Sequence, residues 1–409
     1  MWTALLDQML TRYFRDGTIV ITMPDGSVRR YGSGTPEARI TIRDEDVIRR
    51  IVANPEMGVG ESYMDGTLEI EDLRAFFAVA LPAVQRVDYP WFERPVRWAK
   101  QATRLLRQMN GLGRSRHNVA HHYDLSGELY DLFLDADRQY SCAYFARPDM
   151  TLDEAQAAKK HHIAHKLCLE PGMRVLDIGC GWGGMALTLA RDYGAHVVGV
   201  TLSKEQHAVA VQRAAEAGLS DRIDIRLQDY RHVSERFDRI VSVGMFEHVG
   251  VPQYDTYFGK VDELLSRDGL ALIHTIGHVG PPNYADPWME KYIFPGGYAP
   301  ALSEIQAAVD KRYLVTQDIE VLRTHYAKTL GHWHDRFMAR VNEARALYDE
   351  RFVRMWRYYL LSMEAAFTCG SLLVYQLQLG HRFVAAPITR DYLYPHQDAD
   401  HQRYRSAAE

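Results

Sequence analysis

The sequence predicts an α/β protein built on a doubly wound parallel sheet, with a smaller accessory domain at its N-terminus. From Met173 onward, apolar strand patterns alternate with helical patterns, as in a parallel sheet covered by helices on both faces. The N-terminal part instead alternates apolar and polar residues around a turn, which indicates an antiparallel hairpin. The length of 409 residues also exceeds what a single hydrophobic core usually serves.

Residues 1–93 are predicted to form the accessory domain. The segment TIVITMPDGSVRRYG alternates on both sides of Pro24-Asp25-Gly26, so we predict a β-hairpin there. Asp44 is placed to cap a short helix that runs through Ile51. We interpret GESYMDG as a turn that leads into another helix, whose apolar run from Ala75 to Val84 is too short to span a bilayer. No catalytic cluster stands out in this part of the sequence.

Residues 94–117 are predicted to form a basic linker helix that contains no acidic residue. The cations are Arg94, Arg97, Lys100, Arg104, Arg107, Arg114 and Arg116. Apolar surface comes from Trp98, Leu105, Leu106 and Met109. Such a helix suits an anionic lipid surface, at roughly 1 kcal/mol per well-placed cation. Alternatively, the cations pair with acids of the neighbouring domain, and the sequence favours neither interpretation.

Residues 118–392 are predicted to form the sheet domain, and residues 393–409 a polar tail. Strands are expected in MRVLDIG, HVVGVTL, RIDIRLQD, FDRIVSVG and LALIHTIG, with helices between them. YLVTQDIEVL and SLLVYQLQLGH look like two further strands, which flank a long helical stretch from about His332 to Phe367.

The composition argues against several classes of protein. A net charge of −5 disfavours a dedicated nucleic-acid binder. The four cysteines form no C-x-x-C pair, so neither a disulfide framework nor a thiolate metal site is expected. The N-terminal MWTALLDQMLTRYFRDG does not have the pattern of a signal peptide. We therefore expect a cytoplasmic protein whose contact with the membrane is peripheral, at its inner face.

A glycine-rich turn follows the first strand of the sheet domain. Gly179 and Gly181 stand between that strand and a helix, where glycine permits a tight turn and lets the backbone approach a ligand closely. Asp177, at the end of the strand, is placed to accept from an amino group of the ligand or to orient the loop. The acid that binds a ribose in dehydrogenases, about twenty residues later, is missing here. Thr201, Gln206 or backbone groups must then hold the ribose.

The sequence of this turn, LDIGCGWGG, resembles the first motif of class I methyltransferases. The resemblance implies their Rossmann-like fold and S-adenosylmethionine as cofactor. From His117 to the late strands, the sequence also resembles the cyclopropane-fatty-acyl-phospholipid synthases and the related mycolic acid cyclopropane synthases. The segments that carry the resemblance are HHYDLSGELYDLFLD, QYSCAYF, VLDIGCGWGG, VTLSKEQ, FEHVG, IHTIG and YIFPGGYAP. The N-terminal GESYMDG looks like part of the extra domain of the bacterial synthases.

The resemblance implies transfer of a methylene group from S-adenosylmethionine to the cis double bond of an unsaturated phospholipid acyl chain, which gives a cyclopropane fatty acid. In that family a carbocation forms on the chain, and a bound bicarbonate ion removes a proton. By motif, the residues implied at the cofactor are Tyr140, Ser141, Gly179, Gly181, Thr201, Leu202, Gln206, Asp229 and Tyr230. Those implied around bicarbonate and the reacting carbon are Cys142, Glu247, His274, Ile276 and Tyr326.

The chemistry of three of these residues agrees with that assignment. Glu247 and His274 are expected at the ends of two successive strands, the edge where wound sheets bind ligands. A carboxylate and an imidazole there suit a small anion that acts as a general base. Tyr326 has a hydroxyl to donate and a ring face to present to positive charge. The alternatives are structural: Glu247 as a helix cap, His274 as a satisfied core residue and Tyr326 as a packing residue.

Several points stay open at this stage. Met363 stands where the family often has a second cysteine, and relatives add a methyl branch, so ring closure against branching is undecided. A methyltransferase for a small soluble molecule and a cofactor- or lipid-binding protein without chemistry are the rivals. His161 and His165 have the spacing of a zinc pair, but their helix looks solvent-facing, and no metal is expected. A homodimer is compatible with the accessory domain, and the acyl chain and headgroup are undetermined.

Overall fold

The structure, a computed structural model, describes residues 1–85, 94–108 and 127–394. Two cations of the predicted linker helix, Arg114 and Arg116, lie outside these ranges. So do residues 395–409 of the predicted polar tail.

The N-terminal part packs helices against a small antiparallel sheet. Strands Asp16–Thr22 (β1) and Val28–Ile42 (β2) form the predicted hairpin, and Leu68–Ile70 (β3) pairs with the C-terminal end of β2. The helices are Trp2–Tyr13 (α1), Glu45–Ala53 (α2), Pro55–Met64 (α3) and Leu73–Gln85 (α4). Asp44 caps α2 as predicted, because its carboxylate accepts from the Asp46 N–H at 2.9 Å.

The prediction of a turn at GESYMDG is wrong, because most of this segment lies in α3. The glycines of this helix allow close packing instead. A Cβ on Gly58 would collide with the backbone of Arg50 in α2, and one on Gly60 would collide with the indole of Trp288. Trp288 belongs to the sheet domain, so Gly60 marks where the N-terminal part packs against it.

Seven strands form the central sheet of the described residues, in the order β6-β5-β4-β7-β8-β10-β9. They are Arg174–Ile178 (β4), His196–Thr201 (β5), Ile223–Leu227 (β6), Phe237–Val243 (β7), Leu265–His278 (β8), Val315–Val321 (β9) and Leu372–Gly380 (β10). Strands β4 to β8 are parallel as predicted, whereas β10 runs antiparallel to both β8 and β9. Because the chain leaves β6 at one edge and returns beside β4, the winding reverses between β4 and β7.

Helices cover both faces of this sheet, and the apolar side chains between the layers are buried. The helices are Arg94–Arg107 (α5), Gly127–Phe133 (α6), Leu152–Lys166 (α7), Gly184–Tyr193 (α8), Lys204–Glu216 (α9), Tyr254–Leu264 (α10), Pro287–Tyr292 (α11), Leu302–Asp310 (α12), His325–Ala339 (α13), Val341–Leu347 (α14) and Glu350–Thr368 (α15). The single long helical stretch predicted near the end is therefore three helices, and Asp349 caps the last of them. In the described part of the chain, no helix combines the length and apolarity needed to cross a membrane.

Two cations of helix α5, in the predicted linker, form ion pairs with acids of the neighbouring parts of the protein. Lys100 pairs with Glu56 at 2.5 Å, and Arg104 pairs with Glu304 at 2.8 Å, so these two cations hold the helix to the protein. The interpretation as a neighbour-paired helix is therefore correct for them. Trp98 and Leu105, seven residues apart, lie on one side of the helix and are 74% and 45% exposed.

Candidate active site

The candidate site lies where the winding of the sheet reverses. The glycine turn follows β4, and Glu247 lies in a short 3₁₀ helix, Phe246–His248, just after β7. His274 was predicted at a strand end, but it lies within β8, which continues four residues further. Its ladder partner Val243 is the last residue of β7, so His274 still reaches the same edge. A crevice at this position is the usual ligand site of wound sheets.

All of the residues predicted at the cofactor line one cavity of about 160 Å³. They are Tyr140, Ser141, Asp177, Gly179, Gly181, Thr201, Leu202, Gln206, Asp229 and Tyr230. The structure thus brings together segments that are up to ninety positions apart in the sequence. Other residues of the same wall were not predicted from the sequence, among them Arg138, Trp182 and His248.

The glycine turn has the backbone conformation that its sequence predicts. Gly179 and Gly181 have φ angles of +82° and +54°, in the left-handed region that favours glycine. A Cβ on Gly179 would lie only 2.9 Å from the side chain of Met245, whereas one on Gly181 would meet no protein atom within 4 Å. Gly181 therefore leaves its backbone open toward the cavity, as close approach of a ligand requires.

Asp177 has the features of a ligand-binding carboxylate. It is buried, and its Oδ2 atom has no hydrogen-bond partner among the described residues. Burial raises its pKa to about 7, and the charge of Lys159 opposes that rise. An amino group of a ligand would satisfy the orphan oxygen and favour the ionised form. This carboxylate acceptor therefore fits the amino group of S-adenosylmethionine.

Lys159 is a residue that the sequence analysis missed. It lies in α7 and is fully buried, and its ammonium donates to Ser141 Oγ at 2.8 Å and to Gln139 Oε1 at 2.7 Å. These bonds fix the loop that carries Tyr140 and Ser141 into the cavity. Burial lowers the pKa of Lys159 to about 8.

The other residues predicted at the cofactor differ in whether their polar groups already have hydrogen-bond partners within the protein. Thr201 Oγ1 donates to Gln206 Oε1 at 2.9 Å, so this pair presents one connected polar surface. Both carboxylate oxygens of Asp229 accept from Arg231, at 2.8 and 2.7 Å, and this bidentate contact helps keep the Asp229 pKa below its usual value despite burial. Asp229 thus lines the cavity as an already paired acid.

A second cavity, of about 360 Å³, contains all five residues predicted to be catalytic. They are Cys142, Glu247, His274, Ile276 and Tyr326. Tyr140, Ser141, Gly244 and His248 line this cavity and the cofactor cavity alike, so the two meet at these residues. Met363 lines the second cavity as well, whereas Cys369 does not.

Glu247 is buried and lines this second cavity. Its Oε1 accepts from the backbone N–H of Ile276 at 2.6 Å, and Oε2 has no hydrogen-bond partner among the described residues. Burial raises the pKa of Glu247 to about 7. The group is therefore poised to gain or lose a proton near neutrality.

His274 is held neutral by its surroundings. Burial, reinforced by the charge of Lys159, lowers its pKa to about 3. Gln376 Nε2 lies 3.1 Å from Nδ1. Because the amide nitrogen donates, Nδ1 accepts and the ring proton is on Nε2. The sequence analysis missed Gln376, since its position on β10 is visible only once that strand pairs with β8.

Other side chains that line the second cavity include the thiol of Cys142 and the aromatic rings of Tyr326 and Tyr140. Cys142 is fully buried, and burial raises the pKa of its thiol, so it stays protonated. Tyr326 packs edge-on against Trp333, at 5.8 Å between ring centroids, and in a tilted arrangement against Phe367, at 4.7 Å. The hydroxyls of Tyr140 and Tyr359 lie 2.9 Å apart.

The histidines of α7 do not face solvent as predicted. His162 is buried and donates to the Glu320 carboxylate at 2.6 Å, while His161 and His165 contact the hydroxyl of Tyr193 at 3.0 and 3.4 Å. The prediction of a solvent-facing helix is wrong because α7 packs one side on α8 and another on the loop at Ser141. Its mixed sequence AAKKHHIAHK shows no apolar stripe that would reveal this.

Comparisons with known proteins identify the family of this chain. The family model for mycolic acid cyclopropane synthetase matches residues 111–377, and a model for a domain of unknown function matches residues 5–80. The chain belongs to the mycolic acid cyclopropane synthetase family. The predictions of this family and of an α/β class I methyltransferase fold are confirmed. By fold and family the chain is an S-adenosylmethionine-dependent methyltransferase.

Three relatives place the chain within the synthetase family. Cyclopropane-fatty-acyl-phospholipid synthase of Escherichia coli K12 is 42% identical over 348 residues, which cover 84% of this chain and 88% of the relative. Tuberculostearic acid methyltransferase UfaA1 of Mycobacterium tuberculosis H37Rv is 35% identical, over 92% of this chain and 91% of the relative. The structure of mycolic acid cyclopropane synthase CmaA1 complexed with SAH and CTAB superposes with a TM-score of 0.61 at 36% identity, covering 64% of this chain and 97% of that chain.

Proposed function

We propose that this protein transfers a methylene group from S-adenosylmethionine to the cis double bond of an unsaturated phospholipid acyl chain and closes a cyclopropane ring. The observation that carries the proposal is the junction of the two cavities at Tyr140 and Ser141. One cavity has the polar and glycine groups of a cofactor site, and the other combines aromatic walls with Glu247 and His274. The relative from Escherichia coli has this activity in its name.

The chain's own residues would hold and orient the cofactor. When bound, S-adenosylmethionine supplies an electrophilic methyl carbon on a sulfonium sulfur. Asp177 would accept from the amino group, Thr201 and Gln206 would bind the ribose, and Tyr230 would lie against the adenine. Lys159 would keep Ser141 and Tyr140 at the junction, where the methyl carbon must meet the alkene. Holding the two reactants in line is the largest entropic part of such a reaction.

Aromatic side chains around the second cavity would stabilise the positive charge that develops on the acyl chain. Attack by the alkene forms one carbon–carbon bond and breaks the carbon–sulfur bond, which leaves a cation on the chain. Tyr326, Tyr140 and Phe294 line the cavity with ring surfaces, and a cation near such a face gains roughly 0.5–2 kcal/mol. Their packing also excludes water, which would otherwise trap the cation as an alcohol.

Ring closure requires that one proton leaves the transferred carbon. Glu247 and His274 would hold a bicarbonate ion, whose chemistry there is to accept that proton. Neutral His274 has an N–H to donate from Nε2, and Glu247 near its raised pKa is able to share a proton with an anion through Oε2. A fully ionised carboxylate would repel the same anion, so the raised pKa supports this role.

We also propose that helix α5 places the enzyme on the membrane surface. Trp98 and Leu105 are exposed on one side of the helix, and tryptophan is favoured at membrane interfaces. Lys100 and Arg104 are already paired with acids, so apolar insertion, more than these two charges, would supply the affinity.

The test is incubation with S-adenosylmethionine carrying a labelled methyl carbon and vesicles of monounsaturated phosphatidylglycerol. We expect the unsaturated acyl chain to gain one labelled carbon and to show cyclopropane proton signals in NMR spectra. Methylation of a small soluble molecule with no change in the lipid would refute the proposal.

A methyl-branched product is the second candidate, because Met363 lines the reactive cavity and UfaA1 is named as a tuberculostearic acid methyltransferase. The same NMR spectra decide between the two. When the cation loses a proton without closing the ring, the branched product keeps a double bond, so it shows alkene or exo-methylene signals and no cyclopropane signals. Branch formation alone would leave the cofactor and acyl substrate in place and overturn ring closure.

A further inference from the structure

The N-terminal part contains a third cavity, of about 400 Å³, that the proposed reaction does not use. Side chains from α1, the β1–β2 hairpin and α4 surround it, and they include Leu10, Ile21, Ile40, Phe76 and Phe77. Most of the lining side chains are aliphatic or aromatic, and the polar ones include Glu56, Asn283, Asp286 and Ser371. Apolar cavities of about 150 Å³ are large enough to hold benzene. This one therefore has room for a considerably longer hydrocarbon.

This apolar cavity and the reactive cavity share part of their walls. Leu81, Asn283, Tyr284, Asp286 and Ser371 line both. Four of these five side chains are polar, so the boundary between two largely apolar spaces is a polar junction. The Tyr284 hydroxyl donates to Glu56 Oε1 at 2.7 Å, and Lys100 donates to Glu56 Oε2 at 2.5 Å, so a hydroxyl, a carboxylate and an ammonium meet at this boundary.

An apolar space, a polar junction and a second apolar space match the covalent plan of a two-chain lipid. Its glycerol and ester groups are polar and lie between two hydrocarbon chains. We propose that the N-terminal part binds the second, non-reacting acyl chain of the phospholipid, with the glycerol esters at the junction around Asn283, Tyr284 and Asp286. The inference rests on the proposed function, because it takes the substrate to be a phospholipid.

The polar junction decides against the other hydrocarbon occupant, the far end of the reacting chain. An uninterrupted hydrocarbon chain that crossed from one cavity to the other would place methylenes against the amide of Asn283 and the hydroxyl of Ser371 and would offer them no hydrogen-bond acceptor. Ester carbonyls accept hydrogen bonds, and the amide of Asn283 and the hydroxyl of Ser371 at the same junction are groups that donate them. The occupant is therefore a chain that branches from the glycerol at the junction.

The family comparison is consistent with a separate role for this part. The synthetase family model begins at residue 111, and CmaA1 matches over 97% of its own length while covering 64% of this chain. The synthetase family model thus does not include residues 1–85, although Leu81 adds one side chain to the reactive cavity. A site for a second chain in residues 1–85 would be an addition to the part that this model covers.

Photochemical cross-linking tests the placement directly in the full-length protein. The probes are two phosphatidylglycerols, one with a diazirine at the end of its saturated chain and one with it at the end of its monounsaturated chain. We expect the saturated-chain probe to label residues within 1–85 and the monounsaturated-chain probe to label the sheet domain. Labelling of the N-terminal part by the monounsaturated chain, or by neither, would overturn the assignment.

Two variants of helix α4 test whether binding of the second acyl chain contributes to kcat/KM. Ala80 lines the cavity, whereas Ala78 of the same helix is exposed to solvent. Ala80→Trp should fill the space and lower kcat/KM for the two-chain lipid about tenfold, the loss expected when a few methylenes lose their burial. Activity on the single-chain lysophospholipid should be unchanged, and Ala78→Trp should behave as wild type on both.

Equal losses on both lipids, or none on either, would contradict the inference. Cross-linking needs no turnover, so it separates the two proposals. Saturated-chain labelling of residues 1–85 without any cyclopropane product would refute the proposed function and leave the second-chain site standing. Cyclopropane product without such labelling would do the reverse.

Discussion

The backbone N–H of Ile276 donates to Glu247 Oε1 across 2.6 Å, and this bond leaves the second oxygen of Glu247 buried without a partner among the described residues. Ile276 lies on β8 two residues beyond His274, so the bond ties the 3₁₀ helix after β7 to the neighbouring strand. Glu247 and His274 are thereby fixed on one cavity wall. Burial removes water from the Glu247 carboxyl group, and this desolvation raises its pKa. In return, the fixed geometry preorganises a group that is able to exchange a proton.

Replacement of Glu247 by glutamine should remove most of the turnover and leave cofactor binding intact. The amide keeps an oxygen for the Ile276 N–H but has no proton to exchange, and groups in such roles contribute about 100-fold or more. The measurements are kcat on vesicle lipid and SAH affinity by calorimetry. Glu290→Gln, an acid on the same cavity, is the matched control and should change kcat less than about threefold. Unchanged kcat in Glu247→Gln would remove this residue from the chemistry.

The same substitution should alter how stability depends on pH. Burial raises the Glu247 pKa from 4.5 to about 7, so the folded state binds the proton more tightly than the unfolded chain. Its favourable contribution is complete below pH 4.5 and is lost as pH rises through about 7. Above that range Glu247→Gln should be more stable than wild type by roughly 3 kcal/mol, against little difference in acid. Urea unfolding of both proteins at several pH values measures this, and parallel curves would show that Glu247 is not desolvated.

Lys159 should be needed for cofactor binding although it does not line the cofactor cavity. Lys159→Met removes two charge-assisted bonds, to Ser141 and Gln139, and it removes the charge that restrains the raised Asp177 pKa. SAH affinity should fall about 10- to 100-fold, because each such bond contributes roughly 1.5–3 kcal/mol and part is recovered by relaxation. Lys160→Met is the control, since the neighbouring lysine bonds Asp137 instead, at 2.5 Å. Equal losses of affinity in both variants would point to general destabilisation of α7.

The sequence alone was enough to predict that the glycine turn lies at a ligand cavity, because strand, glycine turn and helix form a local unit. Gly179, Gly181 and Asp177 are close together in the chain, and their positions follow from the turn alone. Lys159 was invisible for the opposite reason. A lysine among AAKKHHIAHK is usually solvated, and its burial depends on the loop that contains Ser141, eighteen residues earlier. The shared wall of the reactive and N-terminal cavities was equally unpredictable, since Leu81 and Tyr284 meet only through packing between the two parts of the chain.

The exposed side of α5 should contribute to vesicle binding. The side chains of Trp98 and Leu105 are exposed. The sequence pointed instead to the cations of this helix, but two of them, Lys100 and Arg104, form ion pairs within the protein. Inserting one large apolar side chain into the interface contributes roughly 2 kcal/mol, so Trp98→Ala should weaken binding to phosphatidylglycerol vesicles up to about 30-fold, and Leu105→Ala somewhat less. Vesicle sedimentation measures this, with Val211→Ala, an exposed valine on α9, as control. If Trp98→Ala binds like wild type while high salt abolishes binding, charge and not apolar insertion holds the enzyme at the membrane.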